Sequence, residues 1–350
     1  MSLDKKILFF ARDPGGASQL SGIIHEYSNC EVYAKDFAYN IFINNKIKAI
    51  NITSLDIIKE KLDSFSLVVT GTSYADDSEK ELWKTAKEIG IPTVAYFDHW
   101  MNFNRFNHKR FGQIYPDYIF VFDKLVEHGI IESNPDCSSK VLSVGSTVLE
   151  KFVTYSLSNE AQIDYKKENG FFDYDLNIVY AAEKIKGFAI EDEYGVNEFS
   201  QFEKLIDACL VLGKKIRVFF RPHPKHNVKE VEFFLDYLQN RKNIHIELDK
   251  SHDKISLLYA CDVVFGINTM VLIEAMLLGK RVCSIGNDIK SVGSMLLLQN
   301  EVIYQSRTEN ELLAFINGII SINKYDKNTF IGTHTRCINS LNDILTIVKD

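Results

Sequence analysis

The chain has 350 residues, 46% hydrophobic and 25% charged, a composition that excludes a disordered polypeptide and suggests two domains of ordinary size. Its 47 acidic and 40 basic side chains give a formal charge of -7, which argues against a protein whose main work is neutralising a nucleic-acid backbone. Only 6 prolines occur, where average usage would give about 17.

Short apolar runs alternate with amphipathic stretches, the pattern of parallel α/β units covered on both faces. In the first half the predicted strands are Lys6–Ala11, Glu31–Ala34, Ala49–Thr53, Leu67–Thr70, Pro92–Phe97, Tyr118–Phe122 and Val141–Val144. Asp77–Ile89 reads as a helix, with acids in its first turn and Gly90 where it stops. From about Thr154 to Tyr174 polarity rises and periodicity weakens, as expected of a connection. A second series follows, with strands Asn177–Ala181, Ile216–Phe220, Ile244–Leu248, Asp262–Phe265, Arg281–Ser284 and Glu301–Tyr304. Helices are predicted near Glu198–Leu212, Val228–Asn240, Ile255–Ala260, Met270–Leu278, Glu309–Ile320 and Thr335–Val348.

The expected fold class is therefore α/β, two Rossmann-like parallel-sheet domains facing across a cleft, with the site at the carboxyl ends of the strands. Residues 1–155 form the expected acceptor-side domain, 156–175 the linker and 176–334 the nucleotide-donor domain, with a helix at 335–350 packing back on the first. Six scattered cysteines without a CxxC pair, and a polar amino-terminal start, predict a reduced cytoplasmic protein without a structural zinc site. No apolar run approaches the roughly 20 residues that span a bilayer, so any expected membrane contact is peripheral.

Four segments carry candidate chemistry. After the first strand comes Arg12-Asp13-Pro14-Gly15-Gly16, with the next helix expected to begin near Gln19. The glycine pair and a helix amino terminus suit an anion, and Asp13, held extended by Pro14, could act as a general base. A plain strand-to-helix turn is the alternative. Arg221-Pro222-His223-Pro224 ends another strand and presents a guanidinium and an imidazole where a leaving nucleotide's phosphate charge needs neutralising. In Cys261–Lys280, Asn268 or Thr269 can cap a helix whose amino terminus is again an anion site. Glu274 on that helix could accept ribose hydroxyls, or pair with Lys280 or Arg281. The fourth, from Tyr96 to Arg110, includes Asp98, His99, Trp100 and Arg105, suited to a sugar or phosphate-bearing acceptor or else to an aromatic loop packed on its domain. Asp98 and His99 are alternative bases to Asp13. Glu183 and Lys184 follow a strand and reach the expected cleft.

Other motifs are weaker. Asp173-Tyr174-Asp175 spells a DxD metal motif by chance in a connection, and Glu191-Asp192-Glu193 reads as a solvated acidic loop. His226, His252 and His334 lack ligand spacing and read as structural or surface residues.

The segment Arg221–Pro224, followed by His252–Val282, resembles the donor half of GT-B-fold transferases that use cytidine nucleotides: CDP-glycerol glycerophosphotransferases, capsule-type Kdo transferases and bacterial polysialyltransferases. The resemblance implies that His223 and Pro224 match a phosphate-binding His-Pro motif. Asn268-Thr269 stands where the families usually show Ser-Ser or Ser-Thr. It further implies a transferase moving a glycosyl or polyol-phosphate group from a CMP-sugar or CDP-polyol to a surface-polysaccharide-type or lipid-linked acceptor. The donor is a substrate, and neither a cofactor nor a metal is expected. Two alternatives stand beside it, an enzyme like UDP-N-acetylglucosamine 2-epimerase and a non-catalytic GT-B-like binding partner.

Overall fold

The computed structural model describes residues 5–74, 76–155, 158–239, 241–251, 253–286, 296–320 and 325–347. Its contacts divide the chain into two compact units, Met1–Lys151 with Lys327–Asp350, and Phe152–Asp326. Each is built on its own parallel sheet.

In the first unit the strands are β1 (Ile7–Ala11), β2 (Cys30–Ala34), β3 (Ile50–Asn51), β4 (Leu67–Thr70), β5 (Thr93–Tyr96), β8 (Tyr118–Val121) and β9 (Lys140–Ser143). They lie in the order β3-β2-β1-β4-β5-β8-β9, and a small antiparallel hairpin of β6 (Asn107–His108) and β7 (Gly112–Gln113) stands apart. All residues of β1 and β4 are buried, because helices cover both faces and no side chain of these runs meets water. Leu8, Phe10, Tyr33, Val68, Leu82 and Ala86 share one core cluster.

The second unit has β10 (Leu176–Ala181), β11 (Ile216–Arg221), β12 (Ile244–Leu248), β13 (Val263–Gly266), β14 (Arg281–Ile285) and β15 (Tyr304–Ser306), in the order β12-β11-β10-β13-β14-β15. In both sheets the chain first builds outward to one side and then crosses back beside its first strand. The reversal lies between β1 and β4 in one and between β10 and β13 in the other, and loops leaving such a pair diverge to open a crevice. Helix Glu198–Val211 shows why these elements form. Asn197 and Ser200 make a reciprocal capping box at its start, and Phe199, Phe202, Leu205, Ile206 and Cys209 recur at helical spacing on the buried face.

Several elements differ from the sequence reading. The first helix begins at Pro14 rather than near Gln19, because Asp13 is extended (φ -88, ψ 149) and proline at the first helical position already has a helical φ. The stretch read as connection contains helix Asn159–Glu168, capped by Ser158. No side chain described there is fully buried, so it carries no apolar period, and it joins the second unit through Gln162 Nε2 donating to the Tyr259 hydroxyl at 2.7 Å. The acidic run Glu191–Glu193 is helical, within Ala189–Tyr194, rather than a loop, with Asp192 and Glu193 exposed to solvent. Glu191 accepts from the Gly187 N–H and Asn197 Nδ2, both at 2.7 Å, and Tyr194 anchors the turn at 1% exposure. Helix Thr333–Ile347 groups with the first unit. Arg336 Nε donates to Val144 O at 3.1 Å, Glu150 accepts from Gly332 and His334, and Tyr96 meets Cys337 at 3.4 Å.

Candidate functional site

The carboxyl edge of the second sheet gathers loops from β10, β11 and β13. Beyond Gly266, the Asn268 N–H donates to Glu183 Oε2 at 2.8 Å, joining the two sides of the reversal. Thr269 is extended, and its hydroxyl accepts the Val271 N–H at 3.3 Å, capping helix Met270–Leu277. Asn268 is 1% exposed; its Nδ2 donates to the Tyr194 hydroxyl, and its Oδ1 has no hydrogen-bond partner among the described residues. An unmatched buried acceptor costs about 1–3 kcal/mol, which a ligand donor would recover. Burial pushes the Glu183 carboxyl up to about 7, with the Asn268 N–H opposing and the Glu198 charge adding. Near neutral pH it can therefore donate to an anionic oxygen.

Arg221, last in β11, pairs with the buried Asp249 carboxylate. His223 lies between two prolines, and its Nδ1 accepts the Lys225 N–H at 3.1 Å, which places the proton on Nε2. Burial, then the charges of Lys225 and His226, push its pKa down to about 4. The neutral ring offers an N–H donor from Nε2. Glu274, 6% exposed, pairs with Lys254 at 2.6 Å rather than with Lys280 or Arg281, and this pairing competes with the ribose role expected of it.

The group that organises these loops escaped the sequence reading. Glu198 has a wholly buried carboxylate that accepts the N–H groups of Ile185 (3.1 Å) and Lys186 (2.8 Å) and meets His226 Nε2 at 2.8 Å. Because His226 Nδ1 accepts the His223 N–H at 2.8 Å, Nε2 carries the proton and donates to Glu198. Burial alone would raise the Glu198 pKa, but His226 and the backbone donors outweigh it, and the carboxylate titrates below its usual range. Lys184 Nζ stands 3.7 Å from the same carboxylate. One buried side chain thus fixes both the Glu183–Lys186 loop and the His223 loop. His226, read as structural, is a buried member of this network.

In the first unit the two glycines expected to approach an anion lie close to other parts of the protein. A Cβ on Gly16 would lie 2.8 Å from the Gly71 Cα, and one on Gly15 would lie 1.6 Å from Asp98 Oδ2. Gly16 thus packs against the Gly71 backbone and Gly15 against the Asp98 carboxylate. Asp98 is paired with Arg105, whose Nη1 also donates to Thr72 O (3.2 Å) and Oγ1 (3.1 Å). Arg105 is 8% exposed and packs over the Phe97 ring at 4.7 Å, so it orients Asp98 instead of presenting a surface cation to an acceptor. Trp100 is also no acceptor platform. It is fully buried against Phe122 and donates from Nε1 to Asp123 at 2.8 Å. Burial, with Arg105 adding, holds His99 neutral by pushing its pKa to about 4, and its Nδ1 has no hydrogen-bond partner among the described residues. Asp13 accepts from Arg12 Nη1 at 2.8 Å and does not cap its helix. Asp13, Asp98 and His99 are thus all held in the first unit as candidate bases.

Asp175 accepts the Lys215 N–H at 2.8 Å, and among the described residues no group of three or more His, Cys, Asp or Glu side chains is placed to hold a metal. His252 lies outside the described residues. Surface cavities of 410 Å³ beside Ile24 and Tyr27 and of 390 Å³ beside Phe199 and Tyr237 are lined by none of the candidate residues.

No family profile and no curated protein matches this sequence. Solved structures do match. The UDP-GlcNAc 2-epimerase of Methanocaldococcus jannaschii aligns over 97% of this chain and 99% of its own, at 14% identity and a TM-score of 0.65. A glycosyltransferase from Rickettsia africae aligns over 99% of each chain at 12% identity and a TM-score of 0.64. MurG of Acinetobacter baumannii covers 98% of this chain and 99% of its own, at 11% identity and a TM-score of 0.55. At such identities the likeness shows the fold, a GT-B-type pair of parallel-sheet α/β units.

Proposed function

We propose that the chain is a nucleotide-sugar enzyme of transferase type whose second unit binds the nucleotide's phosphates between Glu183, Lys184, His223 and the helix beginning after Thr269. The observation that carries this reading is the junction of Asn268 with Glu183 at the strand reversal, beside the His223 loop, with both loops fixed on Glu198. An N–H of His223, the ammonium of Lys184 and a protonated Glu183 would stabilise charge developing on the departing phosphate. CMP-sugars or CDP-polyols are the favoured donors and a saccharide or lipid-linked surface-polysaccharide hydroxyl the favoured acceptor, deprotonated by Asp98, Asp13 or His99. The reading needs no resident cofactor. It assigns a cytoplasmic enzyme with peripheral membrane contact, and no described helix is long and apolar enough to cross a membrane.

A second reading, a UDP-N-acetylglucosamine 2-epimerase-like enzyme, is favoured by one observation. A Neisseria meningitidis epimerase structure bound to UDP-GlcNAc aligns over 97% of this chain with a TM-score of 0.62. Thermal unfolding with CMP, CDP, UMP, UDP, UDP-GlcNAc and GDP separates the two. A ligand at about 100 times its Kd stabilises by about 2.7 kcal/mol. Stabilisation by CMP or CDP that is lost in His223→Ala supports the cytidine donor, and stabilisation by UDP and UDP-GlcNAc alone supports the epimerase-like reading. No shift with any nucleotide would overturn both and leave the non-catalytic binding partner.

A further inference from the structure

At the strand reversal of the first sheet, the loops leaving β1 and β4 are joined by a side chain that has no role so far. Glu79 lies in the first turn of helix Ser78–Glu88 and is 1% exposed. Its Oε1 accepts the Ser73 hydroxyl at 2.8 Å and the Arg12 N–H at 3.3 Å, tying the segment after β4 to the residue immediately before Asp13. Its Oε2 is buried with no hydrogen-bond partner among the described residues.

Burial, with each nearby cation engaged elsewhere, decides the state of this carboxyl. Arg12 is engaged by Asp13 at 2.8 Å and Asp36 at 2.9 Å, with Asp76 at 3.8 Å. Lys35 pairs with Asp76 at 3.0 Å and Lys80 with Asp77 at 3.2 Å. Each cation is thus committed to another carboxylate. The charges that face Glu79 most strongly are the like charges of Asp13 and Asp76. Ionised, Glu79 would be a buried charge without a counterion. As an acid it accepts both hydrogen bonds through its carbonyl oxygen and carries the proton on Oε2. Burial accordingly pushes its pKa up to about 7, against the Ser73 hydroxyl bond that lowers it and with Asp13 and Asp76 adding to it.

We propose that Glu79 is a positioning residue, a proton-dependent latch that as a neutral acid holds the Asp13 loop against the loop following β4. The inference rests on the proposed function only in treating Asp13 as a reacting-site residue; its test needs no ligand, so the two fail separately.

The test compares the wild type with Glu79→Gln, which keeps one acceptor oxygen and cannot ionise, and with Glu79→Ala. A carboxyl raised in the folded state gives up stability as pH rises from its unfolded value of 4.5 to its folded value of about 7. The melting temperature of the wild type should therefore fall relative to Glu79→Gln across that range, by about 5 °C, and level off above it. Hydrogen exchange of the peptide covering Ile7–Ala17, corrected for intrinsic rates, should match between the two at about pH 5 and be about tenfold faster in the wild type at about pH 8. A melting difference that does not vary with pH, or equal exchange at the higher pH, overturns the latch. Glu79→Ala should exchange fast at both pH values; if it does not fold, the glutamine variant decides the matter alone.

Discussion

The chain leaves β1 into a helix that carries Gly15 and Gly16 in its first turn, and leaves β13 at Gly266 through Asn268 and Thr269, two segments on opposite sides of the strand reversals in sheets of like topology. The first is filled by the protein itself, with Gly16 against Gly71 and Asp98 over Gly15. The second keeps an unmatched Asn268 oxygen beside Glu183, which titrates near neutrality. A glycine pair after a first strand is therefore not in itself a phosphate cradle. Unmatched buried polar atoms lie in both, Glu79 Oε2 and His99 Nδ1 in the first unit and Asn268 Oδ1 in the second, so what differs is how the neighbouring groups are held. The acids follow the same division: in the first unit Asp98 is locked to Arg105, while Glu198 in the second is locked away so that Glu183 and His223 are presented.

Three substitutions test that contrast. Glu198→Ala removes the acceptor shared by His226, Ile185 and Lys186 in a fully buried place and should cost about 3–5 kcal/mol in urea unfolding. A loss below about 1 kcal/mol would mean that the two loops of the second unit stand without their common anchor. Gly16→Ala presses a methyl onto the Gly71 backbone, which has no rotamer to yield, and should cost about 1–3 kcal/mol. Gly15→Ala sets a methyl against the Asp98 carboxylate, which must shift from its Arg105 pairing to make room, so the cost should also be about 1–3 kcal/mol, with nucleotide-induced stabilisation unchanged. If Gly15→Ala instead abolished that stabilisation in the folded protein, the first segment would be a phosphate site after all.

The strands were legible because Leu67–Thr70 and Val263–Gly266 are buried on both faces and read as unbroken apolar runs. Helix Asn159–Glu168 was not, since a helix lying on the surface with none of its described side chains fully buried leaves no period to detect. The loops at the carboxyl edges could be located from Arg221–Pro224 and Asn268–Thr269, whose residue types act locally. The partners could not. Glu198 reaches His226, and Glu79 reaches Arg12, only once β-strands far apart in the chain lie side by side. Trp100 and Arg105 show the same limit from the other direction. Sequence gives a ring and a guanidinium beside a strand end, and only packing shows that Asp123 and Asp98 already hold them.

The placement of helix Thr333–Ile347 bears on synthesis. The second unit is one continuous stretch, so every residue it needs is synthesised before that helix and leaves the ribosome ahead of it. The first unit is begun earlier and completed later, since the cysteine that meets Tyr96 and the arginine that donates to Val144 O arrive only after the whole second unit has been made. Vectorial translation therefore makes the later sheet the first whose contacts can all close, and the amino-terminal sheet waits for its last piece.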